Sequence, residues 1–311
     1  MVKTSVFAVK SLVLFAALLW SLSPVAEAAT IQVDCSSASL QAAIEKAKSG
    51  DTLLVSGTCN ENLVIPEDVQ KITLDGQGKA TIKGRDPKKD TIFVRGRVDV
   101  TVRGFTITGG RDGIMLVSGA TALVDGNTIE NTSRFGIYVT QHSSARIVNN
   151  TIQNIRGKDG ISVSGSAFIY VGMLGYLNLQ DKTASPNTIQ NNGRFGIHVH
   201  RTSYARIAGN TISNNKNHGI HVGGVSHAQI GSNNINGNGG DGIFVAENSG
   251  VNLGADKGKK ILHLPNNTTV ANKGFGIRCI IGGSANGRIG TLTGAKGAKR
   301  FGEGCIDSLK P

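Results

Sequence analysis

The sequence predicts an all-β chain, a single-domain parallel β-helix with three strands and about 23 residues in each rung, and three observations carry that prediction. The first is spacing: Asn187, Asn210 and Asn233 stand 23 residues apart, and so do Gly196, Gly219 and Gly242. The second is alternation. Ile197 and Val199, then Ala205 and Ile207, then Ile212, form short apolar runs broken by Gly and Asn, which suits strands and not a helix. The third is the recurring Asn itself, which tolerates a tight turn and whose amide can bond to its copy one rung away. Strands repeated at a constant step stack on their own copies, so each inward Ile or Val lies roughly 4.8 Å from its equivalent.

The chain opens with Lys3 and Lys10, an apolar run from Leu12 to Leu19, and small residues around Ala26 and Ala28. This is the pattern of a secretory signal peptide over residues 1–28. The run is too short to cross a bilayer and no later segment could, so a secreted or periplasmic protein without a transmembrane segment is expected. Residues 29–311 make the single domain. Ile31 to Val33 reads as a strand. Within 36–50, Leu40, Ala43, Ile44 and Ala47 share one helical face, serines precede them and Gly50 can end the helix. A short amphipathic helix there caps the open edge of the first rung.

Irregular rungs follow at Thr52 to Val55, Leu63 to Ile65, Ile72 to Leu74 and Ala80 to Lys83. Regular ones begin at Thr91 and carry a strand, usually Gly-Ile-x-Val, at Gly113, Gly136, Gly160, Gly196, Gly219, Gly242 and Gly276. Two steps are long, 36 residues from Gly160 to Gly196 and 34 from Gly242 to Gly276, so a loop enters after Gly172 and another after Gly254. Roughly nine or ten rungs are expected, with 279–311 as a C-terminal cap. Four cysteines allow three pairings, and proximity in an oxidising compartment favours Cys35 with Cys59 and Cys279 with Cys305. A zinc site is the alternative, without CxxC or HxxxH spacing to support it.

The net charge is +12, or +11 once Lys3, Lys10 and Glu27 are removed with the signal peptide. Export turns this from a nucleic-acid signature into one for an acidic polysaccharide or an anionic cell-surface glycan, engaged by a monomer. The alternative is that the charge keeps a repetitive β protein soluble and its edges unpaired.

The units NTISNNKNHGIHV and NTIENTSRFGIYV, with the opening IQVDCSSASLQAAIEKAKSGDTLLVSG, resemble the right-handed parallel β-helix proteins of the pectin-lyase-like superfold over nearly all of the mature chain. The resemblance implies right-handed coiling and a saccharide cleft on the outer surface of the first strand. It selects no activity, because the superfold holds lyases, hydrolases, C5-epimerases and proteins that only bind glycans. A calcium cofactor is implied by the resemblance alone. In that family the Asn turn joins the second and third strands, which makes Gly-Ile-x-Val the first.

The outward positions of the first strand are then Phe93, Met115, Tyr138, Ser162, His198, His221, Phe244 and Arg278, with His200 also outward. Arg111, Arg134, Lys158 and Arg194 form a column of cations just before it on four successive rungs, suited to a bound uronate polymer. The rival reading is that Asp112, Asp159 and solvent already offset them. His198, His200, His218 and His221 crowd two adjacent rungs, and imidazole is the commonest proton-transfer group and metal ligand. Duplication of a surface residue from rung to rung is the rival there. Tyr138 and Phe244 could stack on sugar faces or only on each other.

If the protein is an enzyme, His218 or His221 would move the proton while Arg194 neutralises a carboxylate. The specific signatures are missing. Arg194-Phe195 stands where the polygalacturonases have paired aspartates, and the Asp-Pro-His-Asp of the alginate epimerases is absent. The competing expectation is a noncatalytic structural or cell-surface solenoid. A third, ice binding, rests on Thr106, Thr128, Thr151, Thr188 and Thr211 and lacks a second Thr column.

Overall fold

The structure, a computed structural model, describes residues 28–174, 184–254 and 261–311, so the expected signal peptide lies outside the described residues except for Ala28. Along each rung the apolar residues face inward. Ile197, Val199, Ile220, Val222, Ile243 and Val245 are all fully buried, and parallel pairing sets Ile197 on Ile220 and Ile220 on Ile243. One slip of register would expose every one of these side chains, so the alternation fixes the pairing.

The first strands make a ten-stranded parallel sheet, and the coil completes about 12 turns, more than the nine or ten expected. The coil runs past the regular repeats at both ends. The second strand already stacks from Thr30–Asp34 onto Thr52–Ser56 and then onto Ile72–Gly84, and within 279–311 Lys299–Phe301 and Ile306–Lys310 still stack on the rung before them.

Two sequence columns close the turns. Asn127, Asn150, Asn187, Asn210, Asn233 and Asn266 sit between second and third strands, each Nδ2 donating to the next Oδ1 at 2.8–3.1 Å. Asn192, Asn215, Asn238 and Asn272 form a second such ladder at 2.9 Å in the turn before the first strand. The Gly column has a steric cause. A Cβ on Gly196 would lie 2.6 Å from the Gly219 carbonyl oxygen and 2.6 Å from Ile212 Cγ2, and Gly219 stands in the same relation to Gly242 at 2.7 Å.

The helix spans Leu40–Lys46, shorter than 36–50. Ser36 and Ser37 are spent on a turn, where the Ser36 amide donates to Asp34 Oδ1 at 3.0 Å, and the Lys48 amide donates to Asp51 Oδ2 at 2.8 Å. Ser39 is the N-cap and accepts from the Ala42 amide, while Leu40 and Ile44 are fully buried against the first rungs. Cys35 pairs with Cys59 and Cys279 with Cys305, with Cα separations of 5.0 and 6.2 Å. The described flanks of the two inserted loops meet outside the solenoid, where Met173, Ala208, Ile261 and Leu262 bury one another. No helix among the described residues is long and apolar enough to cross a membrane.

Candidate functional site

Register places the outward residues of the first strand in one line. Phe93, Met115, Tyr138, Ser162, His198, His221, Phe244 and Arg278 are successive partners, and Arg300 continues the line. The cation column is also one column, since the backbone amides of Arg134, Lys158 and Arg194 donate to the carbonyls of Arg111, Arg134 and Lys158.

The rival reading of the cation column, offset by Asp112 and Asp159, describes two of its pairs, and Asp90 adds a third. Arg111 makes a bidentate pair with Asp90, Arg134 with Asp112, and Arg194 with Asp159, each aspartate lying one rung earlier. Asp112 and Asp159 are fully buried and their arginines about one-third exposed, so each pair is an anchored guanidinium with an open edge. Burial pushes the Asp112 carboxyl up against the pull of Arg134. Burial acts on Asp159 in the same sense, yet the Arg194 guanidinium and the His198 ring hold its carboxyl below the ordinary value. Lys158 has no ion-pair partner among the described residues, and its ammonium lies 5.6 Å from the Phe135 ring centre.

The imidazoles form two piles of rings. His200 stacks on His198 at 4.0 Å and 3°, and His198 on His221 at 4.7 Å and 24°. Beside them Phe195 stacks on His218 at 5.4 Å, and His218 on Phe244 at 4.5 Å and 6°. The piles meet edge-on where His221 abuts Phe195 and Phe244. Burial lowers His200 and His221 to about 3 and His218 to about 4, so all three rings are neutral at neutral pH.

Two carboxylates also serve this cluster, Asp159, expected only as an offset to the cations, and Asp241. Asp159 Oδ2 lies 3.3 Å from His198 Nδ1, and Asp241 Oδ2 lies 3.4 Å from His218 Nδ1, which also accepts the Asp241 amide at 2.9 Å. Their sequence signal is that Asp159 and Asp241 occupy the position before the recurring Gly of their rungs, Gly160 and Gly242. Glu247 was missed by the sequence reading. A Cβ on Gly223 would sit 3.2 Å from His221 Nε2 and 3.4 Å from Glu247 Oε2, so the glycine leaves a notch between an imidazole and a carboxylate. Tyr138 lies apart from the imidazoles. It packs on Phe135 at 4.8 Å, and its hydroxyl is 2.9 Å from Ser164 Oγ.

Fold and face together define a parallel β-helix protein with a ring-lined, arginine-edged outer surface on its first sheet. The chain belongs to the family described as periplasmic copper-binding protein (NosD), whose model matches residues 44–254. Among solved structures it resembles pectate lyase Pel9A, with a TM-score of 0.57 and 11% identity over 89% of this chain and 79% of that one. It also resembles a double mutant of the periplasmic alginate epimerase AlgG, with a TM-score of 0.54 and 14% identity over 90% of this chain and 75% of that one. At such identity the likeness is one of fold. No curated protein matches the chain in sequence.

The family's description invites a test for copper, which takes imidazole, thiolate and thioether donors converging on one point. All four thiols are consumed in disulfides, and no three His, Cys, Asp or Glu side chains among the described residues gather as a metal-holding set. Stacked imidazoles set their in-plane nitrogens side by side, whereas ligation needs them to converge. These residues do not fit a copper centre.

Proposed function

We propose that this protein is an exported β-helix that binds an acidic polysaccharide along its first-strand face. The observation that carries the reading is the pair of ring piles flanked by anchored guanidinium groups. Flat apolar ring faces match the C–H faces of pyranoses, and the open edges of Arg111, Arg134 and Arg194, with the ammonium of Lys158, match carboxylates spaced along a polymer. Tyr138, His198, His200 and Phe244 supply the rings in this account.

Processing of the polymer has weaker support than binding. A general base works best with a pKa near the operating pH, and His218 and His221 at about 4 and 3 are in the accepting form but drive proton transfer poorly. The fold likeness to a pectate lyase and an alginate epimerase supports a glycan ligand at the level of architecture only.

The test is proton NMR of polygalacturonate and alginate, followed over time with the purified protein. Binding broadens polymer signals, and Phe244→Ala weakens it about two- to tenfold, the worth of one ring stack. New olefinic or reducing-end signals, lost in His221→Ala, would establish lyase or hydrolase action. Unbroadened, unchanged spectra with both polymers would refute the proposal.

A further inference from the structure

We infer a second carbohydrate site, on the second-strand sheet, that takes a single pyranose ring bearing a carboxylate. Register lines up one outward column there as Thr121, Ser144, Phe168, Tyr204, His227 and Gly250. Rings thus begin abruptly at Phe168. Tyr204 covers one of its faces, stacked at 5.4 Å and 13°, and Tyr204 is in turn stacked on His227 at 5.7 Å. On its other side the column offers only the hydroxyl residues Ser144 and Thr121, whose oxygens lie 3.4 Å apart. Where a ring gives way to small residues, a pile leaves a ring-sized gap.

That gap is a cleft of about 230 Å³ lined by Thr121, Ser144, Arg146, Phe168 and Tyr170. At ~30 Å³ for each water it holds roughly eight waters, which suits one sugar ring and excludes a folded segment. Its walls have separate chemistries. Phe168 gives a half-buried ring face, and Tyr170 stands edge-on to it at 4.6 Å and 87°, forming a corner. The Tyr170 hydroxyl is held by Arg206 Nη1 at 3.1 Å, so that wall is fixed. Ser144 and Thr121 supply hydroxyls. Arg146 is exposed and spends Nε on the Leu174 carbonyl at 2.8 Å, and its two Nη nitrogens have no partner among the described residues.

A ring face, a hydroxyl pair and a guanidinium with two donors unpartnered among the described residues match a pyranose's C–H face, its hydroxyls and a carboxylate, in that order. Apolar ligands would leave the hydroxyls and guanidinium unmatched, and a neutral sugar would leave only the guanidinium unused. The site lies on a different sheet from the first-strand face and shares no residue with it.

The experiment is saturation-transfer NMR on the purified protein with sodium D-galacturonate and, separately, D-galactose. Galacturonate receives saturation most strongly on one ring face, and galactose binds about tenfold or more weakly, for want of a charge-assisted bond. Arg146→Gln brings galacturonate down to the level of galactose. Ser144→Tyr lengthens the pile by one ring, fills the cleft without touching the core, and abolishes transfer while the circular dichroism spectrum stays that of the parent. Equal binding of the two sugars, transfer that survives Ser144→Tyr, or no transfer to galacturonate would each overturn the site. A signal kept in Ser144→Tyr and lost in His198→Ala would belong to the first-strand face. Polymer broadening decides that face independently, so either reading can fail alone.

Discussion

At the scale of the residue, the buried aspartates govern what the first-strand face presents. Asp112 has no exposed surface and Arg134 is its cation, so Arg134→Ala leaves an uncompensated buried carboxylate. A loss of about 3–5 kcal/mol is expected, read from urea unfolding, and Arg134→Ala with Asp112→Asn should recover part of it. The imidazoles add a pH dependence. His200, His218 and His221 have folded values of about 3, 4 and 3 against an ordinary 6.5, so the unfolded chain binds more protons between those limits. Their stabilising effect is full above about pH 6.5 and is lost as pH falls toward 4 and 3. Thermal unfolding from pH 7.5 down to 4 should show a falling Tm, and His221→Gln should flatten the slope.

That four imidazoles crowd one face was legible in the sequence, because rung spacing alone puts His198 and His221 together. Which carboxylate each ring and guanidinium meets was not. Asp159 reaches Arg194 across 35 residues, through a rung lengthened by an inserted loop, and only the closed ladder shows that the two are neighbours.

At the scale of the element, most of the architecture could be read directly. The Gly and Asn columns announce the turns, and the structure supplies their reasons. Because the Cβ of an alanine at 196 would fall 2.6 Å from the Gly219 carbonyl oxygen, Gly196→Ala should be among the most disruptive small substitutions, abolishing soluble expression or lowering Tm steeply. Asn210 donates to Val171, Ala208 and Asn233 and accepts from Asn187, all of it buried. Asn210→Ala should therefore cost about 1–3 kcal/mol for each group left unpaired, measured by denaturant titration. The helix ends were less legible. Ser36 and Ser37 look like helix-start residues, but Asp34 takes them into a turn and leaves the N-cap to Ser39.

At the scale of the whole molecule, each rung touches only its neighbours, so stability is a chain of local contributions. The two disulfides sit at the two ends of that chain, where fraying would begin. Reducing Cys279–Cys305, which closes 26 residues, should cost about 3 kcal/mol in the chain-entropy model and expose the last rungs first. Hydrogen exchange with and without reductant would read this as lost protection confined to the amides beyond about Gly276. Even loss along the whole coil would mean that the rungs unfold as one unit.

The asparagine ladders have a direction. Each Nδ2 from Asn127 to Asn233 donates one bond back to a carbonyl of the preceding rung and one forward to the next asparagine, and the links from asparagine to asparagine all run toward the C-terminus. A chain emerging from the ribosome builds from its N-terminus, where the helix has already sealed one end. Each unfinished coil therefore ends in amide hydrogens awaiting an oxygen, and the next asparagine synthesised is the one that brings it. Growth and the links from asparagine to asparagine share one polarity, so the last turn laid down presents a donor that its own successor is built to accept.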